Sequence, residues 1–210
     1  MAASWRESAR LAACADNLAK SGSAFEMYAR DNRGQMPIAA AGFSGGPWWQ
    51  VGDPEHSHSA NLFTLARTGY ASLSELSCLG NPSALTHGDA RAMQDWHSLD
   101  EISFSYQLPA RSTMVWGLTG NGRVVVLTDK SPVIARARRG EKFDAEARSL
   151  NHRGRGQNIL LSDGSVIFLG RPVLPNGDNI WLPESITDPA SAILTGRERP
   201  AGDEDAFVAP

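Results

Sequence analysis

Over the first thirty residues apolar side chains return at a helical interval. Leu11, Leu18 and Phe25 recur every seven residues, and Cys14, Ala15, Gly22 and Ala29 fill the positions between them. This is one narrow apolar stripe with a seam of small residues. Arg6, Arg10, Asp16, Lys20, Glu26 and Arg30 fall largely off it. The spacing predicts a helix from Ser4 to Asn32. Ser4-Trp-Arg-Glu7 has the capping-box spacing at its start, and Gly34 and Pro37 stop it. At ~1.5 Å per residue such a helix is about 40 Å long, too long for a head of this size to cover end to end.

Residues 39–59 read as loop, with Gly42, Gly45-Gly46-Pro47 and Gly52 around Trp48-Trp49. A short helix is predicted over Ala60–Arg67, stopped by Gly69, with one further turn at Leu73–Leu76 and an irregular stretch to Leu99. From Glu101 the period changes to two: Ile102-Ser-Phe104-Ser-Tyr106 is the pattern of a half-buried strand. Thr113–Leu118 and Arg123–Thr128 flank Gly120-Asn121-Gly122, a hairpin signal. Asn158–Leu161 and Val166–Leu169 flank Asp163-Gly164, where Gly takes the positive φ that a type I′ turn demands. The expected fold is α+β: a helix over 1–34, a loop-rich head with an antiparallel sheet over 35–185, and a flexible tail over 186–210. A one-stripe helix and a one-sided sheet each need a partner, and packing them together satisfies both.

Composition narrows the class. The chain has 210 residues and a hydrophobic fraction of 41%, enough to bury one domain core. Net charge is −3 with no long basic run, so nucleic acid is not an expected partner. No stretch approaches the ~20 apolar residues of a membrane span, and the start is too polar for a signal peptide. The two cysteines, Cys14 and Cys78, fit one disulfide in an oxidising compartment or two buried thiols, and spacing alone does not choose.

Candidate chemistry is sparse. His56-Ser-His58 invites a metal reading, with Glu55 and Asp53 near it, but lacks a complementary pair. Gly-x-Ser-x-Gly, His-Glu-x-x-His and a phosphate loop are absent. His152 and Asp163 form a nominal acid/base pair, although Asp in a hairpin turn is expected on backbone grounds alone. Asn176-Gly-Asp178-Asn179 is oxygen-rich in the manner of a calcium loop, and equally in the manner of an ordinary turn. Trp48, Trp49, Trp96 and Trp181 fall in predicted loops, as exposed binding groups or as plugs between helix and sheet.

Arg6–Gly22, Tyr28–Pro37, Leu62-Phe63 with Cys78, Asn151-His152, Asp163-Gly164 and Asp178-Asn179-Ile180, in order over residues 5 to 181, together resemble segments of the pseudopilin-like proteins abundant in planctomycetes. Those carry a prepilin-type cleavage and methylation segment ahead of a domain of unknown function. Arg6–Gly22, with Asn17 and Gly22, resembles the stretch just after their membrane span. Tyr28–Pro37 is similar to their helix end, and Leu62-Phe63, Gly69-Tyr70 and Cys78 to their second helix and following cysteine. Asn151-His152, Gly156-Gln157-Asn158 and Asp163-Gly164-Ser-Val166 resemble their His…Asp-Gly signature, and Asp178-Asn179-Ile180 their closing motif. The resemblance implies a pilin-like fold, a long helix whose C-terminal half lies on the sheet, and a structural role for His152, Asp163 and Gly164. It implies no catalytic residue and no resident cofactor; calcium enters only through the related major pseudopilins of type II secretion. It also implies an upstream membrane span and leader, with Met1 not the natural start. The expected place is extracytoplasmic, anchored in the inner membrane or at the cell surface. The expected partners are other pilin-like subunits of a type II secretion-like or type IV pilus-like filament. Two readings stand beside it: an extracytoplasmic module whose loop tryptophans bind glycan or protein, and a metal-dependent enzyme using His56, His58 and His152.

Overall fold

The computed structural model describes residues 2–39, 46–53, 56–110, 124–202 and 204–210, with side chains from Trp5 onward at the N-terminus. Helix α1 runs Ala2–Asp31 and helix α2 Ser59–Arg67. Strands β1 (Phe104–Gln107) and β2 (Val125–Asp129) precede a short helix α3 (Pro132–Ala137). Strands β3 (Gln157–Leu161), β4 (Val166–Leu169) and β5 (Val208–Ala209) follow. The five strands form one sheet in the order β4-β3-β2-β1-β5, every neighbour antiparallel. The chain is therefore α+β.

The stripe on α1 is the face it buries: Cys14, Leu18, Phe25 and Ala29 are inside. The outward face, including Trp5 and Met27, is exposed. Gly22 marks the close approach to the sheet. A Cβ there would come within 3.0 Å of the Leu160 side chain of β3. Arg33 and Gly34 both take positive φ, 59° and 79°. The Gly34 N–H donates to the Ala29 carbonyl at 2.7 Å, the closing bond of a Schellman-type end. The helix begins at Ala2, so Ser4 lies inside it rather than at its cap.

The sheet is a middle layer. Leu18, Phe25, Phe63, Trp96, Phe104 and Leu160 form the core between it and α1 and α2. Trp48, Val125, Ile134, Ile159, Trp181 and Phe207 form a second core on the opposite face. β3 serves both, Leu160 one way and Ile159 and Leu161 the other, as a period of two requires. This corrects the one-sided sheet. β1 is buried at every position, and its serine faces the second layer, where Ser105 Oγ accepts the Ser131 N–H at 2.8 Å.

Besides the segments carrying Trp48 and Trp181, the second layer is built from two segments that the period did not reveal. One is α3, six residues opened by Ser131-Pro132, the N-cap and first-turn proline arrangement. The other is the chain after Ile186, expected to be flexible. Its last residues pair with β1, Tyr106 opposite Ala209 and Gln107 opposite Val208, and Phe207, Val208 and Ala209 are buried. The Asp163-Gly164 hairpin connects β3 and β4, but only Gly164 has positive φ there, 80°. The connection is a four-residue loop, residues 162–165, instead of a two-residue type I′ turn. The expected strand at 113–118 and the Gly120-Asn121-Gly122 turn lie outside the described residues.

Two substitutions test these contacts by chemical denaturation. Phe207→Ala is expected to destabilise the fold by about 3–5 kcal/mol; a loss under about 1 kcal/mol would mean that the C-terminal segment is not part of the core. Gly22→Leu is expected to cost about 1–3 kcal/mol by forcing α1 off Leu160.

Candidate functional site

Four of the residues that the sequence marks out, Cys14, Asn17, Cys78 and His152, converge at the buried face of α1. Cys14 and Cys78 are joined as a disulfide with a Cα–Cα distance of 5.0 Å, and both are buried. The bridge ties the irregular segment after α2 to the helix. One turn further on, Asn17 donates through Nδ2 to the carbonyls of Ser77 at 2.8 Å and Ser74 at 3.0 Å. Asn17 therefore fixes the turn that carries Cys78.

Next to the disulfide lies a buried acid–imidazole–acid bridge. His152 closes the 3₁₀ turn Leu150–His152 and is fully buried. Its Nε2 lies 3.1 Å from Asp129 Oδ2 at the end of β2 and 3.9 Å from Cys78 Sγ. Its Nδ1 lies 3.7 Å from Oε1 of Glu7 on α1, within reach of charge but too long for a hydrogen bond. Those two atoms are buried without a hydrogen-bond partner. Asp129 is better provided: it accepts the Asn158 backbone N–H at 2.6 Å and Asn151 Nδ2 at 3.1 Å. Burial opposes an imidazolium here, but the hydrogen bond and charge of Asp129, with the charge of Glu7, outweigh it and hold His152 above the ordinary imidazole value. The turn continues through Arg153 in the left-handed conformation, φ 55°, and its Nε comes within 3.8 Å of Glu7 Oε2.

This clasp reaches closer to the start of α1 than a sheet resting only on the far half would. Asn158 Nδ2 donates to the Leu11 carbonyl at 3.4 Å, and Glu7 is buried while Trp5, Arg6, Ser8, Ala9 and Arg10 around it are exposed. Sequence reading missed Glu7 and Asp129. Glu7 sits seven residues before Cys14, on the stripe, and that register was the available signal.

Asp163 is not the partner of His152. It lies exposed at the hairpin, where its Oδ1 accepts the Ser165 N–H at 3.0 Å. The His56, His58 and His152 set does not assemble as a metal site. His56 contacts Asp53 at 3.0 Å, while His58 is buried with Nε2 2.9 Å from the Tyr106 carbonyl. Glu55 lies outside the described residues. In the Asn176–Asn179 loop, Asp178 Oδ2 accepts the Ala206 N–H at 2.7 Å and Asn179 Oδ1 the Trp181 N–H at 2.9 Å. Trp48, Trp96 and Trp181 are buried, and two of the indoles donate to carbonyls, Trp48 to Glu198 at 3.1 Å and Trp181 to Ala147 at 2.8 Å. They are core plugs and not an exposed aromatic platform; Trp49 is partly buried against Trp48. No family model, curated protein or solved structure matches the chain.

His58 supplies a pH test. Burial pushes it down to about 4, against the pull of the Tyr106 carbonyl and with the Arg199 charge adding to the shift. Its contribution is complete above the unfolded value near 6.5 and is lost as pH falls from there toward 4, a total of about 3 kcal/mol. Replacing it in His58→Gln is expected to flatten the stability profile over that window in urea titrations; an unchanged slope would contradict a neutral buried imidazole. His152, shifted the other way, contributes with the opposite sign and at higher pH. Separately, Cys14→Ser with Cys78→Ser opens a loop of 64 residues, and the expected loss is about 4 kcal/mol by the chain-entropy account.

Proposed function

We propose that this chain is the head of a pseudopilin-like structural subunit, acting by assembly and not by catalysis. The observation that carries the reading is α1. It is one unbroken 30-residue helix that gives a single stripe to the sheet and leaves its opposite face and most of its first turns exposed. A helix so held is a rod presented by a head, and the free face is available for helix–helix packing. Such packing stabilises a filament by roughly 25 cal/mol per Å² of apolar surface buried. The disulfide supports an oxidising, extracytoplasmic location. None of the helices among the described residues is long and apolar enough to cross a membrane, so the reading requires an apolar span joined to α1. A glycan- or protein-binding module finds less support, because Trp48, Trp96 and Trp181, three of the four loop tryptophans it would use, are in the core.

Fractionation of the source cells with an antibody against the head tests this. The expected outcome is sedimentation with membranes and release by detergent but not by carbonate. Recovery of all of the protein in the soluble fraction would overturn the reading.

A further inference from the structure

Around the disulfide stand four side chains whose ligand atoms lie within 4.8 Å of one another: the sulfurs of Cys14 and Cys78, a carboxylate oxygen of Asp129 and a ring nitrogen of His152. They come from α1, the turn after α2, the end of β2 and the 3₁₀ turn before β3, and all four are buried. Two thiolates, an imidazole and a carboxylate are a donor set suited to a thiophilic, tetrahedral divalent cation. Around such an ion, bonds of ~2.0–2.3 Å place neighbouring ligand atoms roughly 3.3–3.8 Å apart. His152 Nε2 already stands 3.1 Å from Asp129 Oδ2 and 3.9 Å from Cys78 Sγ.

The surroundings supply a second, independent sign. A histidine bound to a metal through Nε2 carries its proton on Nδ1 and directs it at a carboxylate or carbonyl. Here His152 Nδ1 faces Glu7 Oε1 at 3.7 Å, and both atoms are buried without a hydrogen-bond partner. The other ligands are also supported. The Gly80 N–H donates to Cys78 Sγ at 3.3 Å, and Asn158 and Asn151 hold Asp129.

We infer that the dithiol form of this chain binds one thiophilic divalent cation of the Zn²⁺ kind through Cys14, Cys78, His152 and Asp129. Disulfide and metal complex are then alternative states of one site. Reduction by a trialkylphosphine breaks the sulfur–sulfur bond: the phosphine gives up an electron pair, takes its oxygen from water and becomes the oxide, and the two sulfurs take the two protons. Cation binding then releases those two protons as the thiols become thiolates. Glu7 acts as a positioning residue, turning His152 through Nδ1.

The test uses the full chain reduced without oxygen by a trialkylphosphine, then titrated with Co²⁺ and back-titrated with Zn²⁺. The expected result is one equivalent of cobalt, near-ultraviolet thiolate-to-cobalt absorption, the visible bands of a four-coordinate ion, and displacement by zinc. The disulfide form is expected to show none of these. Glu7→Gln keeps the bands and binds about tenfold more weakly, while Asp129→Asn and His152→Gln lose still more. A reduced chain that binds no more cobalt than the disulfide form overturns the inference. So does equal affinity in the parent, Asp129→Asn and His152→Gln, which would leave binding to the cysteines alone. If reduction unfolds the chain, circular dichroism decides: recovery of the helical signal with one equivalent of Zn²⁺ supports the site, and no recovery overturns it.

Discussion

A helix that offers only one stripe to its neighbour needs more than apolar contact to stay in place, and this protein adds polar and covalent ties along that stripe. Glu7, Cys14 and Asn17 reach two parts of the chain: Glu7 the His152 turn, and Cys14 and Asn17 the turn of Ser74, Ser77 and Cys78. Apolar packing at Leu18, Gly22 and Phe25 sets the distance from the sheet. The ties set the register along it, which apolar contacts alone specify weakly.

The same economy governs the buried polar groups. Asp95 is enclosed, and burial raises its carboxyl above the usual range. It accepts from Ser57 at 2.6 Å, from the Gly52 N–H at 2.8 Å and from Ser59 at 2.8 Å. One carboxylate thereby holds together the loop ahead of α2, the start of α2 and the strap carrying Trp96. Asp205 does the same near the C-terminus, accepting the Ala201 N–H at 2.6 Å and the Glu184 N–H at 3.1 Å. In a chain with few regular elements, buried acids do the organising that strand ladders do elsewhere.

What the sequence made legible follows from how locally each feature is encoded. The stripe of α1 and the Asp163-Gly164 hairpin are written in consecutive residues, so period and turn chemistry disclose them. Glu7 was hidden because a carboxylate on an apolar stripe reads as the polar edge of a helix. Asp129 was hidden because it closes a strand, and Asp163, nearer to His152 in sequence, looked the more natural partner. The second layer was hidden for a related reason. Ala206, Phe207, Val208 and Ala209 are four apolar residues after a polar run, too few to show a period, and their burial depends on the exposed edge of β1, a hundred residues away. The pairing of that edge is a property of the whole chain.

One partner of β1, the strand Val208–Ala209, is thus synthesised about a hundred residues after β1 itself. Until Val208 and Ala209 arrive, one side of β1 has unmatched backbone donors and acceptors, and Trp48 lacks the Phe207 ring that meets it edge-on at 5.7 Å. A chain emerging from its N-terminus, whether from a ribosome or through a translocation pore, can form α1 early, yet it leaves an open strand edge, the usual starting point of mispairing between copies, until Val208 and Ala209 close it. Vectorial synthesis therefore makes the pairing of Val208 and Ala209 a late step in completing the sheet.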